Sequence, residues 1–458
     1  LGDEKVGMLH GKLNDYLNNY FDDLQYDLNR KKATIAEIRQ QYRNLTTPLK
    51  VVTPFQLLKH LFGIKGFEQG LFEMTGCYLI FDEIHAYRPD VFAQIKVLIE
   101  FAVRRLEAKV MIMTATLPSF LMRELSEAIN EHATIRADKV LYDQFTRHKV
   151  RILPGKLSEK LDMIKAQLAE GRKVLVVCNT VKSSQNVYKT LASYVEKDRA
   201  VLLHGRFAGV DRTRHEKRLR SDDIQLLVGT QAIEVSLDID YDFLFTEPAP
   251  IDALIQRFGR VNRKREKGIC DCIVFSDHNP EDVYIYNEVH VNKTLEVLSE
   301  VAAENGGIIH EAKLQEYIDR VYIGWSERDK REFEQRYQFL TISLPNLAPL
   351  VHSRFTENDF FNQFDGVPVL PQHYLKRYRA SLDQFDFITA ESYKVPLSSS
   401  QYAMWRKNQN IRQEHYFAVD EKDRAKELSY LVTNKKYDPV LGLIGDDEEP
   451  WSMEDNFL

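Results

Sequence analysis

The stretch Tyr78-Leu79-Ile80-Phe81-Asp82-Glu83-Ile84-His85 decides the fold. A short apolar run ends abruptly in two carboxylates and a histidine. It reads as a buried strand with a polar carboxyl end, and the carboxyl ends of parallel strands are where α/β proteins bind ligands. Working outward, similar runs occupy residues 49–52, 77–81, 110–113 and 150–153, then 174–178, 201–203, 224–228, 243–245 and 270–275. Most are apolar on both faces, as in a parallel sheet covered by helices on each side. Helical stretches lie between them, at 91–106, 158–168 and 183–195. This alternation predicts an α/β architecture.

Polarity rises across residues 138–151 and a new strand series begins, so a first domain over 1–145 and a second over 146–280 are expected. Residues 1–48 are polar and read as helices and loops without a clear strand. Residues 281–342 read as a helical linker. From 343 to 458 the pattern loosens, with Pro345, Pro349, Pro368 and Pro371 and many aromatics, and a small C-terminal accessory domain is expected. The acidic run Asp446-Asp447-Glu448-Glu449 reads as a solvated tail.

The 458 residues allow two to four domains. Hydrophobic residues at 44% and charged residues at 28%, with 20 Gly and 15 Pro, exclude fibrous and low-complexity classes. No run is long and apolar enough to span a bilayer. Four cysteines (Cys77, Cys178, Cys270, Cys272) are too few for a disulfide framework. They lie in or beside strand runs and read as reduced, buried thiols, which suits a cytosol. The net charge of −6 gives no global nucleic-acid footprint.

Chemistry concentrates at a few motifs. Asp82 and Glu83 supply what nucleotide hydrolysis needs, one carboxylate to hold Mg²⁺ and another near the attacking water. Thr114 and Thr116, in Met113-Thr114-Ala115-Thr116-Leu117-Pro118, could bridge those carboxylates to a neighbouring domain; a helix cap with Pro118 in the first turn fits the same residues. In Gln256-Arg257-Phe258-Gly259-Arg260-Val261-Asn262-Arg263, Arg260 and Arg263 are three apart, so on a helix both guanidinium groups point one way and could clamp a γ-phosphate. Residues 204–220 carry six Lys/Arg against Asp211 and Glu216, which suits either a phosphate track or a solvated helix.

Taken in order, Thr53-Pro54, Asp82 to His85, Thr114 to Thr116, Gly229 to Asp238 and Gln256 to Arg263 resemble the motif set of superfamily-two DExH helicases. Phe81-Asp82-Glu83-Ile84-His85-Ala86-Tyr87, His204-Gly205-Arg206-Phe207 and the late Tyr437-Asp438-Pro439-Val440-Leu441-Gly442-Leu443 resemble the CRISPR-associated helicase–nuclease of type I systems. The resemblance implies two RecA-like parallel-sheet domains in tandem, with ATP and Mg²⁺ as ligands. It implies a motor on the displaced single-stranded DNA of an R-loop made by the RNA-guided Cascade complex, with a separate HD nuclease doing the cutting. By position it assigns Mg²⁺ to Asp82, the water-activating base to Glu83, and coupling to His85. It assigns γ-phosphate contacts to Gln256, Arg260 and Arg263, and the nucleotide or cleft wall to Asp238, Gly229, Thr114 and Thr116. Thr53, Thr180, Arg206 and Thr230 are assigned to the strand backbone.

Two parts of the family pattern are missing. No Gly-Lys-Thr or Gly-Lys-Ser occurs; Gly11-Lys12-Leu13 and Gly155-Lys156-Leu157 lack the hydroxyl and the glycine-rich cradle. None of the 13 histidines is followed by Asp. The expectation is a member truncated before its P-loop and HD nuclease, or one subunit of a split enzyme. A non-catalytic strand-binding or docking subunit, or another DExH helicase acting on RNA or repair intermediates, is the alternative.

Overall fold

The computed structural model describes residues 6–9, 17, 33–35, 37–38, 42, 47–84, 87–129, 131–196, 198–234, 237–351, 357, 360–361, 366–419 and 425–445. They fall into two compact units.

The first unit is Leu1–Arg136 with Tyr322–Asp365. Its strands form two parallel pairs: β1 (Val6–Leu9) with β2 (Leu49–Val52), and β3 (Tyr78–Asp82) with β4 (Lys109–Met113). The strand at Val6–Leu9 corrects the reading of residues 1–48 as strandless; its Gly7 is buried where a Cβ would press on the Thr47 hydroxyl. Helices follow at α1 (Pro54–Leu61), α2 (Phe67–Met74), α3 (Pro89–Leu106) and α4 (Ser119–Ile129). Proline opens α1 and α3, where its missing N–H costs nothing. Every residue of α3 from Val91 to Ile99 is buried, so this helix is the unit's axis. A second long helix, Glu327–Ser343, packs against it through Phe333 and Leu340. The Tyr337 hydroxyl donates to Glu100 at 2.9 Å. The buried Lys96 ammonium reaches Glu124 at 2.5 Å and lies over the Tyr337 ring.

The β3–β4 ribbon is covered on one face only, which corrects the expectation of strands buried on both. Phe81 is buried, and Leu79, Val110 and Ile112 pack on the helical core. The alternate residues face out: Tyr78 is 75% exposed, Ile80 63%, Met111 50% and Met113 38%. Apolar residues on both faces of a strand permit double burial without supplying the second layer.

The second unit is Ala137–Val321 with Gly366–Leu458. Its sheet has β5 (His148–Leu153), β6 (Val174–Val177), β7 (Ala200–Leu203), β8 (Leu226–Gly229), β9 (Phe243–Thr246), β10 (Cys270–Phe275) and β11 (Ile308–Ile309), in the order β11-β5-β10-β9-β6-β8-β7. All neighbours are parallel except β11 with β5. Every residue of β6, β7 and β8 is buried, as expected for a doubly covered sheet. The helices α5 (Lys139–Phe145), α6 (Leu161–Ala169), α7 (Val181–Leu191), α8 (Gly209–Arg218) and α9 (Ile251–Phe258) connect or flank the strands. The stretch 281–342 divides: α10 (Glu288–Asn305) and α11 (Leu314–Val321) belong to this unit, and Glu327–Ser343 to the first.

Residues 366–443 add a four-stranded sheet, Val395–Leu397, Val367–Pro371, Ala425–Thr433 and Ile411–Val419 in that order, around the fully buried Trp405. A short hairpin, Tyr437–Asp438 with Gly442–Leu443, ends the described chain. The acidic run 446–449 lies outside the described residues. The four thiols are unpaired; Cys178 and Cys272 are buried as expected, whereas Cys77 and Cys270 are only half-buried.

Replacing Ile80 and Met111 together by Thr should suppress concentration-dependent association in light scattering, because the bare ribbon face loses its apolar area. The cost to stability should stay within about 0.5 kcal/mol per site, since neither side chain is buried.

Candidate active site

In the first unit the expected residues cluster just past strand ends. Asp82 closes β3 and Glu83 follows it; both are exposed, between the buried Phe81 and Ile84. The Glu83 N–H donates to the Met113 carbonyl at 3.1 Å, so the ladder runs one residue beyond the strand. Glu83 then takes φ 55°, a left-handed conformation that costs a non-glycine residue on the order of 1 kcal/mol. The chain turns at this point. Thr53 follows β2 and stands at the N-cap of α1 without a capping bond from its side chain. Thr114 follows β4 and its hydroxyl accepts the Thr116 N–H at 3.4 Å. Thr116 is buried, and its own hydroxyl has no hydrogen-bond partner. The Pro118 carbonyl accepts from Met122, so this segment also serves as the start of α4. His85 lies outside the described residues.

In the second unit the expected residues separate onto opposite ends of the sheet. Thr180, Arg206 and Thr230 follow the carboxyl ends of β6, β7 and β8. All three are buried: Thr180 caps α7 by accepting from Ser183 at 3.1 Å, Arg206 is 2% exposed, and the Thr230 hydroxyl is buried without a hydrogen-bond partner. Gly229 is forced, because a Cβ there would strike the Leu203 carbonyl of β7. From this edge the chain crosses to the amino end of β9, where Tyr241 bridges Val261. Arg260, Arg263 and Asp238 gather there. Gln256 sits half-buried on α9.

The two arginines do not share a helical face. The helix ends at Phe258, and Asn262 takes φ 48°, so the spacing of three no longer means one turn. Arg260 turns inward and donates to the carbonyls of Leu237, at 2.5 Å, and Glu234. Arg263 is exposed; its side chain meets Asp238 at 2.9 Å and its N–H meets Asp240 at 2.8 Å. Both therefore converge on the 234–240 segment, by different routes.

Where α9 meets the carboxyl ends of β6, β8 and β9 lies a polar core absent from the expected site. Arg257 is fully buried and all five of its N–H groups are used. They reach Glu234 at 2.8 Å, Thr246 at 2.7 Å, the Glu247 carbonyl at 3.1 Å, Asn179 at 3.3 Å and Tyr286 at 2.9 Å. Burial pushes the Glu234 carboxyl up, with Arg257 opposing. Glu247 accepts from the Asn179 N–H, Ser183 and Asn279 at 2.6, 2.6 and 2.9 Å. Burial, then the charge of Asp282, still pushes it up to about 7. The signal was present in the sequence: Arg257 continues the apolar stripe Ile251, Leu254, Phe258 of α9.

A family model described as the C-terminal part of the CRISPR-associated nuclease/helicase Cas3 matches residues 170–266, the window that holds every second-unit residue of the expected site. The chain is 27% identical over 314 residues to the CRISPR-associated nuclease/helicase Cas3 of Methanothermobacter thermautotrophicus, covering 61% of this chain and 37% of that protein. It is 26% identical over 271 residues to the CRISPR-associated helicase Cas3 of Thermoproteus tenax, covering 56% and 44%. The chain is a homologue of the CRISPR-associated Cas3 helicases. The crystal structure of T. fusca Cas3 has the same fold at TM-score 0.67 and 17% identity, over 96% of this chain and 61% of that one. The chain thus spans less than half the length of either curated Cas3 relative.

Two stability predictions follow from the polar core. Arg257→Met should cost about 3–5 kcal/mol in urea unfolding, because it strands buried Glu234; a loss under 1 kcal/mol would show that the five bonds are dispensable. Glu247 holds a proton in the folded chain that the unfolded chain has released between pH 4.5 and about 7. Stability should therefore fall as pH rises through that window. Glu247→Gln should flatten most of the slope in thermal melts, leaving the part due to Asp282, whose carboxyl burial also raises.

Proposed function

We propose that the chain is the helicase portion of a Cas3-type enzyme, an ATP-dependent translocase on single-stranded DNA. It acts in the cytoplasm of a prokaryote during type I CRISPR interference, on the strand displaced by the RNA-guided Cascade complex. An HD nuclease domain or subunit supplies the cutting. The observation that carries this reading is the division of the second unit. Backbone-type contacts (Thr180, Arg206, Thr230) collect at the carboxyl edge and guanidinium groups (Arg260, Arg263) at the amino edge. A motor needs a strand track and a nucleotide-sensing edge in one rigid body.

In this reading Asp82 holds hydrated Mg²⁺. Among the described residues no three His, Cys, Asp or Glu gather into a metal cage. Mg²⁺ commonly takes one or two carboxylates, substrate phosphates and waters, so an exposed strand-end aspartate fits. Glu83 orients and deprotonates the attacking water, and His85 couples the reaction to strand movement. Arg263, whose partner Asp238 is itself exposed, exchanges that carboxylate for a phosphate oxygen. Arg260 contributes by holding the Glu234 and Leu237 carbonyls; the resemblance assigns nucleotide contacts to Gln256 and Gly229 in the second unit and to Thr114 and Thr116 in the first. T. fusca Cas3 has been crystallised with ADP and with ATP. A chain of the same fold, at TM-score 0.59 and 17% identity, belongs to a CRISPR RNA-guided surveillance complex. The alternative, a strand-binding subunit without its own ATP chemistry, is favoured by one observation: the sequence contains no Gly-Lys-Thr or Gly-Lys-Ser.

Because this sequence contains no Gly-Lys-Thr or Gly-Lys-Ser to cradle the phosphates, ATP turnover by this chain alone should be at background, with or without single-stranded DNA, while DNA binding weakens steeply between 50 and 200 mM salt (roughly tenfold or more). DNA-stimulated turnover abolished by Glu83→Gln would replace that picture with a complete motor. Absence of any DNA binding in fluorescence anisotropy would sink the strand reading.

A further inference from the structure

The late motif Tyr437-Asp438-Pro439-Val440-Leu441-Gly442-Leu443 has no part in the chemistry above, yet its contacts gather on one short segment. That segment, residues 204–208, links β7 to α8 and contains Arg206. Ala208 stands at the N-cap of α8 and has no side chain able to cap it. The cap comes from far away in sequence. The Tyr437 hydroxyl accepts the Ala208 N–H at 3.0 Å and donates to Asp211 at 2.6 Å. Asp211, 1% exposed in the first turn of α8, also accepts from Tyr374 at 2.5 Å and from Arg214 at 2.5 Å. Its charge is met by three donors, so this is a satisfied buried carboxylate and not an accidental contact.

The rest of the hairpin pins the other end of the segment. The Leu443 N–H donates to the Arg206 carbonyl at 2.9 Å. The Arg206 N–H donates to His204 Nδ1 at 3.1 Å, and His204 Nε2 meets the Leu441 carbonyl at 2.9 Å. Burial holds the His204 ring down to about 3, so it is neutral: Nδ1 accepts and Nε2 donates. From α7, Gln185 donates to the Leu441 and Leu443 carbonyls at 2.7 and 3.2 Å. Gly442, at φ 75°, lies so close that a Cβ would fall 2.6 Å from the His204 ring and 2.8 Å from the Arg206 carbonyl.

We propose that the Tyr437–Leu443 hairpin is a positioning device for the strand-contact segment 204–208, with Tyr437 capping α8 in place of a local residue. The device rests on the reading of that segment as part of the strand track. It makes the C-terminal hairpin and the β7–α8 turn one mechanical body, through hydrogen bonds that add no cation to the track.

The test compares the chain with Tyr437→Phe, which keeps the ring and removes the hydroxyl, and with Gln185→Met, which removes the side-chain donor to the 443 carbonyl and one of the two to the 441 carbonyl. Two measurements are made: hydrogen exchange of the peptide covering 204–211 without DNA, and anisotropy with an oligo-dT strand at several salt concentrations. Exchange in both variants should rise about tenfold, the effect of losing one buried hydrogen-bond pair. Affinity for oligo-dT should fall several-fold while the salt slope stays unchanged, because no phosphate-neutralising charge is removed. Unchanged exchange overturns the latch. Raised exchange with unchanged affinity overturns its role on the strand. If the unaltered chain does not bind oligo-dT, both the role and the motor reading fall, and that outcome is told apart because the exchange result needs no DNA.

Discussion

A guanidinium sealed from water must find an acceptor for each of its five N–H groups, and the second unit is arranged around meeting that demand for Arg257. Its acceptors come from the end of β6 (Asn179), the end of β9 (Thr246 and the Glu247 carbonyl), the turn after β8 (Glu234) and the segment before α10 (Tyr286). Four separate stretches are therefore fixed to one atom group on α9. Glu234 is the consequential one. Once its carboxylate is held by Arg257, its carbonyl is held by Arg260, and the run from residue 234 to 240 has a defined start. Asp238 and Asp240 then stand where Arg263 can meet them. The exposed end of the site is a consequence of the buried one.

Much of this fold was legible because buried parallel strands leave short, dense apolar runs. The runs at 174–178, 201–203 and 270–275 match β6, β7 and β10 to within one residue at either end. What the runs could not tell was whether a second layer exists. Ile80 and Met111 look no different in sequence from Val176 and Leu202, yet the first pair is exposed and the second fully buried. Val6–Leu9 was passed over because a four-residue strand containing a buried glycine carries almost no pattern.

The site residues show the complementary failure. Arg260 and Arg263 were joined by a helical spacing, but Gly259 and the left-handed Asn262 had already ended the helix. Arg257 stands among other arginines in the sequence, and only its place on the apolar stripe of α9 marks it as buried. The contacts of Tyr437 cross more than two hundred residues of sequence, and no local pattern encodes a cap supplied from that distance.

Rigidity explains how two edges of one sheet can serve one function. The carboxyl-edge segment 204–208 is held by the C-terminal hairpin, and Glu234 and Leu237, on the way to the amino edge, are held by Arg257 and Arg260. Between them stand β7, β8, β6 and β9, and every residue of β6, β7 and β8 is buried. A close-packed interior of this kind transmits force and does not deform continuously. A loop at either edge cannot shift alone without breaking buried hydrogen bonds, each costing about 1–3 kcal/mol when left unmade. In the proposed motor, a phosphate force on Arg263 would move the whole second unit, segment 204–208 included, with no internal switch. In that proposed motor the hairpin would belong to the machinery of movement as much as the arginines, because it makes the carboxyl-edge segment 204–208 part of the same body.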